Sequence, residues 1–97
     1  MMKTIIFNFD DIHSMRSFYS ACKEQLKLPD HFGNNLDALW DCITAYVELP
    51  IAIRFINLSP YHLKKYERQI DLFRDAEKEL DGELTFEYQT RDEMDAG

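Results

Sequence analysis

With 97 residues, the chain has enough surface to bury a single core without metals or disulfides, since a domain of this size hides somewhat over ~60% of its unfolded surface. A hydrophobic content of 45%, with seven Phe and five Tyr, excludes a disordered chain. A net charge of −7 excludes direct nucleic-acid binding, which needs a basic patch to meet phosphates, and points to basic partners. The opening MMKTIIFNFDD meets acids too early for a signal peptide, and no stretch reaches membrane-spanning length, so a cytoplasmic protein is expected. Cys22 and Cys42 fall on separate predicted helices, at positions a small apolar residue would also fill. In a reducing compartment both are expected as buried free thiols.

Thr4 to Phe9 is a β-branched and aromatic run with little alternation, the pattern of a strand buried on both faces, and a central or well-covered strand is expected. Asp10 and Asp11 end it, and Ser14 is the candidate N-cap of a helix from Met15 to about Lys27, with Met15, Phe18, Cys22 and Leu26 at helical spacing. Pro29 and Gly33 break the pattern. A helix is then predicted over residues 34 to 48, capped by Asn34 or Asn35 and closed before Pro50, and the bond before that proline is open to either isomer. A second strand, IAIRFINL, covers residues 51 to 58. Ser59 and Pro60 open a helical region that continues to Leu80, and the faces of Tyr61, Leu63 and Tyr66 conflict with those of Ile70, Phe73 and Ala76. That conflict predicts a short helix near 60 to 65 and a longer one from about 66. After Asp81 and Gly82, the residues Leu84, Phe86 and Tyr88 alternate with polar ones as in an edge strand with one wet face. From Thr90 the chain is polar and acidic with no period, so a single domain over 1 to 90 and a disordered tail over 91 to 97 are expected. Helices between every pair of strands predict an α/β fold with a small three-stranded parallel sheet and about four helices.

The helix over 34 to 48 is the most informative element. At about 100° per residue, Leu36, Leu39, Ile43, Tyr46 and Val47 share one side with Trp40 at its border, while Asp37, Asp41, Thr44 and Glu48 share a second stripe. Like charges at this spacing oppose the helix by roughly 0.2–0.5 kcal/mol per pair. The stripe therefore reads as a solvated face, a pair of catalytic carboxylates or a recognition surface for a cationic site. Catalysis has little else to work with, because no nucleophile or oxyanion partner accompanies the acids. His13, His31 and His62 are scattered, and no metal motif or phosphate-cradling glycine loop is present. An aromatic beside an acid patch has the composition of a binding centre, and His31, Phe32 and Trp40 supply rings there; each also fits an ordinary turn or core residue. Asp71 and Asp75, one turn apart on the later helix, read as a solvated pair balanced by Arg74 and Lys78.

Residues 28 to 50, LPDHFGNNLDALWDCITAYVELP, resemble the barstar family, intracellular protein inhibitors of barnase-type secreted ribonucleases. The match covers Leu-Pro, the aromatics and Gly, then Asn-Leu-Asp-Ala-Leu-Trp-Asp-Cys, a Thr and the later Pro, and LFRDAEKE at 72 to 79 is similar to the family's last helix. The resemblance implies a three-stranded parallel sheet covered by helices and a partner-binding set of His31, Asn35, Asp37, Trp40, Asp41, Thr44, Ala45, Tyr46 and Asp75. Asp41 matches the central acid that enters the nuclease site where a substrate phosphate would lie. Asp37 matches an acid that meets a nuclease arginine, and Thr44 a polar contact beside them. Trp40 keeps the family's tryptophan. His31 stands where the best-known member has a tyrosine that stacks on the nuclease, Ala45 for a glycine, Tyr46 for a tryptophan and Asp75 for a glutamate. A few residues are missing between Asn57 and Ile70. The implied function is inhibition of a barnase-like ribonuclease or nuclease toxin by an acidic helix that imitates RNA phosphate. The alternative is a binding module on the same scaffold for another basic protein, without ribonuclease inhibition. A monomer without enzyme activity, metal, cofactor or membrane contact is expected.

Overall fold

A computed structural model describes residues 2–91. The elements run β1 (Lys3–Asn8), α1 (Met15–Gln25), α2 (Leu36–Ala45), β2 (Ile51–Leu58), α3 (Pro60–Lys65), α4 (Glu67–Glu79) and β3 (Leu84–Thr90). The three strands form one parallel sheet in the order β1-β2-β3, which is the α/β, barstar-like arrangement expected. Its register aligns Ile5 with Ile53 and Phe86, and Phe7 with Phe55 and Tyr88.

The first strand is not central. β1 lies at the sheet edge, with Ile5 and Phe7 buried, Thr4 exposed and Ile6 42% exposed. A run of β-branched residues reads alike whether both faces are covered or one is merely shaded by neighbouring side chains, and β2 takes the centre instead. Gln25 Nε2 donates to the Ile6 carbonyl at 2.9 Å and so covers part of an edge strand that would otherwise offer free backbone groups. The edge position of β3 is as expected.

The core is an aromatic cluster with Phe55 at its middle. Phe7, Phe9, Phe73 and Phe86 have ring centroids 5.4, 5.0, 5.4 and 5.0 Å from it. Helix ends follow the local chemistry. Ser14 accepts from the Ser17 N–H, and Ser59 precedes Pro60 at the first helical position. The break between α3 and α4 falls at Tyr66, which is 1% exposed and serves as the C-cap of α3 and the N-cap of α4. Asp81 (φ 50°) and Gly82 (φ 83°) close α4 in the left-handed region.

Lys27 (φ 53°) adopts that region after α1, where Leu28 N–H donates to the Lys23 carbonyl. For a residue with a Cβ this conformation costs roughly 1–2 kcal/mol. Leu49–Pro50 is cis. Both cysteines are free; Cys22 is buried, whereas Cys42, expected buried, is only half-buried. Thr90 closes β3 instead of opening a tail, and Arg91 forms an ion pair with Asp10. The rest of the expected disordered tail, 92 to 97, lies outside the described residues.

Candidate functional site

Helix α2 begins at Asn35, whose Oδ1 accepts from the Ala38 N–H at 2.8 Å while its Nδ2 donates to the Gly33 carbonyl at 2.9 Å. Both ends of the amide are thus engaged within the chain, and this side chain positions the helix. Leu39 and Ile43 are buried, and Trp40 is half-buried against the core. That anchoring turns Asp37 and Asp41, one turn apart, to solvent. Thr44 is half-buried beside them, and its hydroxyl donates to the Trp40 carbonyl at 2.8 Å. With its proton committed, Thr44 offers an outside partner only acceptor lone pairs, matching the character of its acidic neighbours.

The helix is shorter than its periodicity suggests. It ends at Ala45, and the N–H groups of Tyr46 and Val47 both donate to the Cys42 carbonyl at 2.9 Å. The second of these bonds spans five residues and widens the last turn. Glu48 therefore lies past the helix and leaves the stripe, which keeps Asp37, Asp41 and Thr44. The same widening corrects Tyr46, expected on the buried side: it is 56% exposed. Ala45 is exposed as well.

Packing of α4 against α2 adds what α2 lacks alone. A groove of about 300 Å³ runs between them, lined by Leu36, Asp37 and Trp40 from α2 and by Arg68, Asp71, Leu72 and Asp75 from α4. Asp37 is thereby joined to Asp71 and Asp75 around an apolar floor. Arg74, expected to balance the α4 acids, instead lies 5.3 Å over the Tyr88 ring. The ion pairs found among the described residues join Lys23 to Asp30, Arg54 to Glu87 and Arg91 to Asp10, so none engages a carboxylate of α2 or α4. The acid surface is left available to an external cation.

Of the sequence-predicted residues, Asp37, Trp40 and Asp75 meet in this groove. Asp41 and Thr44 continue the α2 row outside it. His31 is exposed in the turn before α2, while its neighbour Phe32 is buried with its ring 6.1 Å from Tyr19. Tyr46 lies past the other end of α2, beside a separate notch. Sequence reasoning missed Arg68 altogether; Asp71 is exposed as expected, but its place on the groove was not foreseen. The spacing Arg68, Asp71, Asp75 does mark one stripe of α4, yet only tertiary packing sets it opposite Asp37. Among the described residues, no three His, Cys, Asp or Glu side chains stand as a metal-holding group, and no helix is long and apolar enough to cross a membrane.

Comparison with known proteins agrees with the resemblance seen in residues 28 to 50. The family profile described as "Barstar (barnase inhibitor)" matches residues 2–92. A protein of Bacillus subtilis (strain 168) named "Putative ribonuclease inhibitor YrdF" is 34% identical over 86 residues, covering 86% of this chain and 94% of that protein. Matched over nearly its whole length and carrying a three-stranded parallel sheet with four helices, this chain belongs to the barstar family.

Proposed function

We propose that this protein inhibits a barnase-like ribonuclease or nuclease toxin by occlusion, without chemistry of its own. The observation that carries the proposal is the exposed row of Asp37 and Asp41 on α2, continued across the α2–α4 groove by Asp71 and Asp75, with none of the four in an ion pair found among the described residues. Membership of a family of inhibitors and the name of the Bacillus subtilis relative support it.

A ribonuclease site is a cationic cleft built for phosphate, and carboxylates fixed on a rigid helix compete for it with charge-assisted hydrogen bonds. Asp41, outside the groove and in mid-helix, is assigned the central position in the cleft. Asp37 and Asp75 flank an arginine or lysine of the nuclease, with Trp40 beneath its aliphatic stem. Thr44 accepts one further N–H. His31, Ala45 and Tyr46 form the rim, and Asn35 acts by holding the start of α2. The opposite charges of inhibitor and nuclease steer their encounter. The free inhibitor is a cytoplasmic monomer in this proposal, organised as one domain over 1 to 90 with an acidic tail.

A second proposal, a binding module for a different basic protein, is favoured by the exposed His31, Tyr46 and Asp75, where this chain departs from the tyrosine, tryptophan and glutamate of the family pattern. Capture of basic nucleases on the immobilised chain, followed by an RNA-cleavage assay of what is captured, separates the two. Inhibition of cleavage supports the first; capture without inhibition contradicts it and leaves the second.

A further inference from the structure

At the far end of α2 from the acid groove lies a notch of about 310 Å³ at the N-terminal ends of β1 and β2. Its floor is apolar: Leu26 and Ile51 are buried and Val47 is half-buried. Lys3, Lys27, Glu48 and the exposed ring of Tyr46 line its mouth. Two lysines and one glutamate line this concavity on a chain whose net charge is −7, and Glu24 stands with the same two lysines in the adjoining hollow. Neither lysine takes part in an ion pair found among the described residues. Lys27 moreover keeps a side chain at φ 53°, where glycine would sit without strain. A non-glycine residue held in that region is a reason to look for a role.

From this geometry we infer that the notch receives a carboxylate side chain of the same ribonuclease that α2 engages. The inference rests on the proposed inhibitory function. Tyr46 caps the end of α2 and lies nine residues past Asp37, roughly 13 Å along the helix at 1.5 Å per residue. A standard interface of ~800 Å² per partner is roughly 30 Å across, so one partner spans both the acid row and the notch. The apolar floor accommodates the methylenes of a glutamate or aspartate, and the Lys3 and Lys27 ammonium groups meet its head. The interface is then bipolar along α2, with acids toward its start and cations past its end. Such polarity fixes the orientation of docking and rejects nucleases that present a cation at the notch.

The test uses the full chain with barnase and a panel of barnase-type ribonucleases as probes, comparing wild type with Lys27→Gly and Lys3→Gln, singly and together. Lys27→Gly relieves the left-handed backbone, so its melting temperature is expected to equal or exceed that of wild type and misfolding does not confuse the result. Each variant makes the chain more negative. If the lysines act only through overall charge, a basic nuclease binds the variants as tightly or more tightly. A filled notch gives the opposite sign: five- to tenfold weaker inhibition for Lys27→Gly and a larger loss for the double variant. Equal or tighter inhibition overturns the inference while leaving the inhibitory function in place. A lysine effect confined to self-association of the chain likewise overturns it. Failure of the wild-type chain to inhibit any of the probes overturns the inhibitory function and this inference together.

Discussion

Asp41 and Glu48 are seven residues apart in sequence and differ in what surrounds them. Asp41 projects from a helix fixed by buried Leu39 and Ile43, whereas Glu48 lies beyond the helix end at the mouth of the notch. In an inhibition titration, Asp41→Ala is expected to cost about 2 kcal/mol or more, the general threshold for an interface hot spot, not a value from the barnase and barstar pair. Glu48→Ala is expected to leave affinity unchanged or slightly raised. Comparable losses for both would remove Asp41 from the interface centre. The two thiols divide in the same local way. Burial pushes the Cys22 thiol far up from its ordinary range, and burial followed by the Asp41 carboxylate pushes Cys42 up less deeply inside the protein. A thiol reagent applied to the native protein is expected to modify Cys42 slowly and Cys22 only on unfolding. Simultaneous modification of both would contradict the burial of Cys22.

The presentation of α2 depends on its cap. Replacing Asn35 with Ala removes the bond to the Ala38 N–H and the bond to the Gly33 carbonyl, and a loss of about 1 kcal/mol in denaturant unfolding is expected. Inhibition should weaken only modestly, because the acids stay on a helix still held by its buried face. In α3 the cap is sensitive to pH. His62 Nδ1 accepts from the Ser59 N–H at 3.0 Å, which requires the imidazole nitrogen to be unprotonated, and the ring packs 5.4 Å from Phe9. Burial lowers its pKa below 6.5, with the Arg91 cation adding to the effect; Lys65 and His13 act the same way and Asp10 opposes them. With a folded pKa below the unfolded one, His62 contributes stability that is present above about pH 6.5 and lost as the pH falls through the folded value. His62→Gln retains a side chain suited to the third helical position of a capping box. Its unfolding free energy should therefore vary less with pH below 6.5 than that of wild type, and equal slopes would show that His62 does not titrate with folding.

At the scale of the molecule, the order of elements was legible because each boundary carries its own chemistry: Ser14 and Ser59 as caps, Pro60 at a first helical position, Asp81 and Gly82 as a stop. The placement of β1 was not, since hydrophobic runs do not report which strand ends up between the others. Half of the candidate site was legible in the same sense. Asp37 and Asp41 declare themselves by one-turn spacing within α2, but the union of Asp37 with Asp71, Asp75 and Arg68 follows from the packing of α4 on α2, which sequence spacing does not encode. Tyr46 was misplaced because helical periodicity was extended past the turn where two N–H groups share the Cys42 carbonyl. In the proposed complex the −7 charge is a long-range attraction for a basic nuclease, one that salt at 0.1 M screens beyond roughly 10 Å. Occlusion of a ribonuclease by α2 is tested by titrating RNA cleavage by barnase-type ribonucleases with the full chain at low and high salt. Activity is expected to fall to the baseline at one inhibitor per enzyme, with a slower onset of inhibition as salt rises. Undiminished cleavage at saturating protein, with complex formation verified in the same samples, would contradict occlusion.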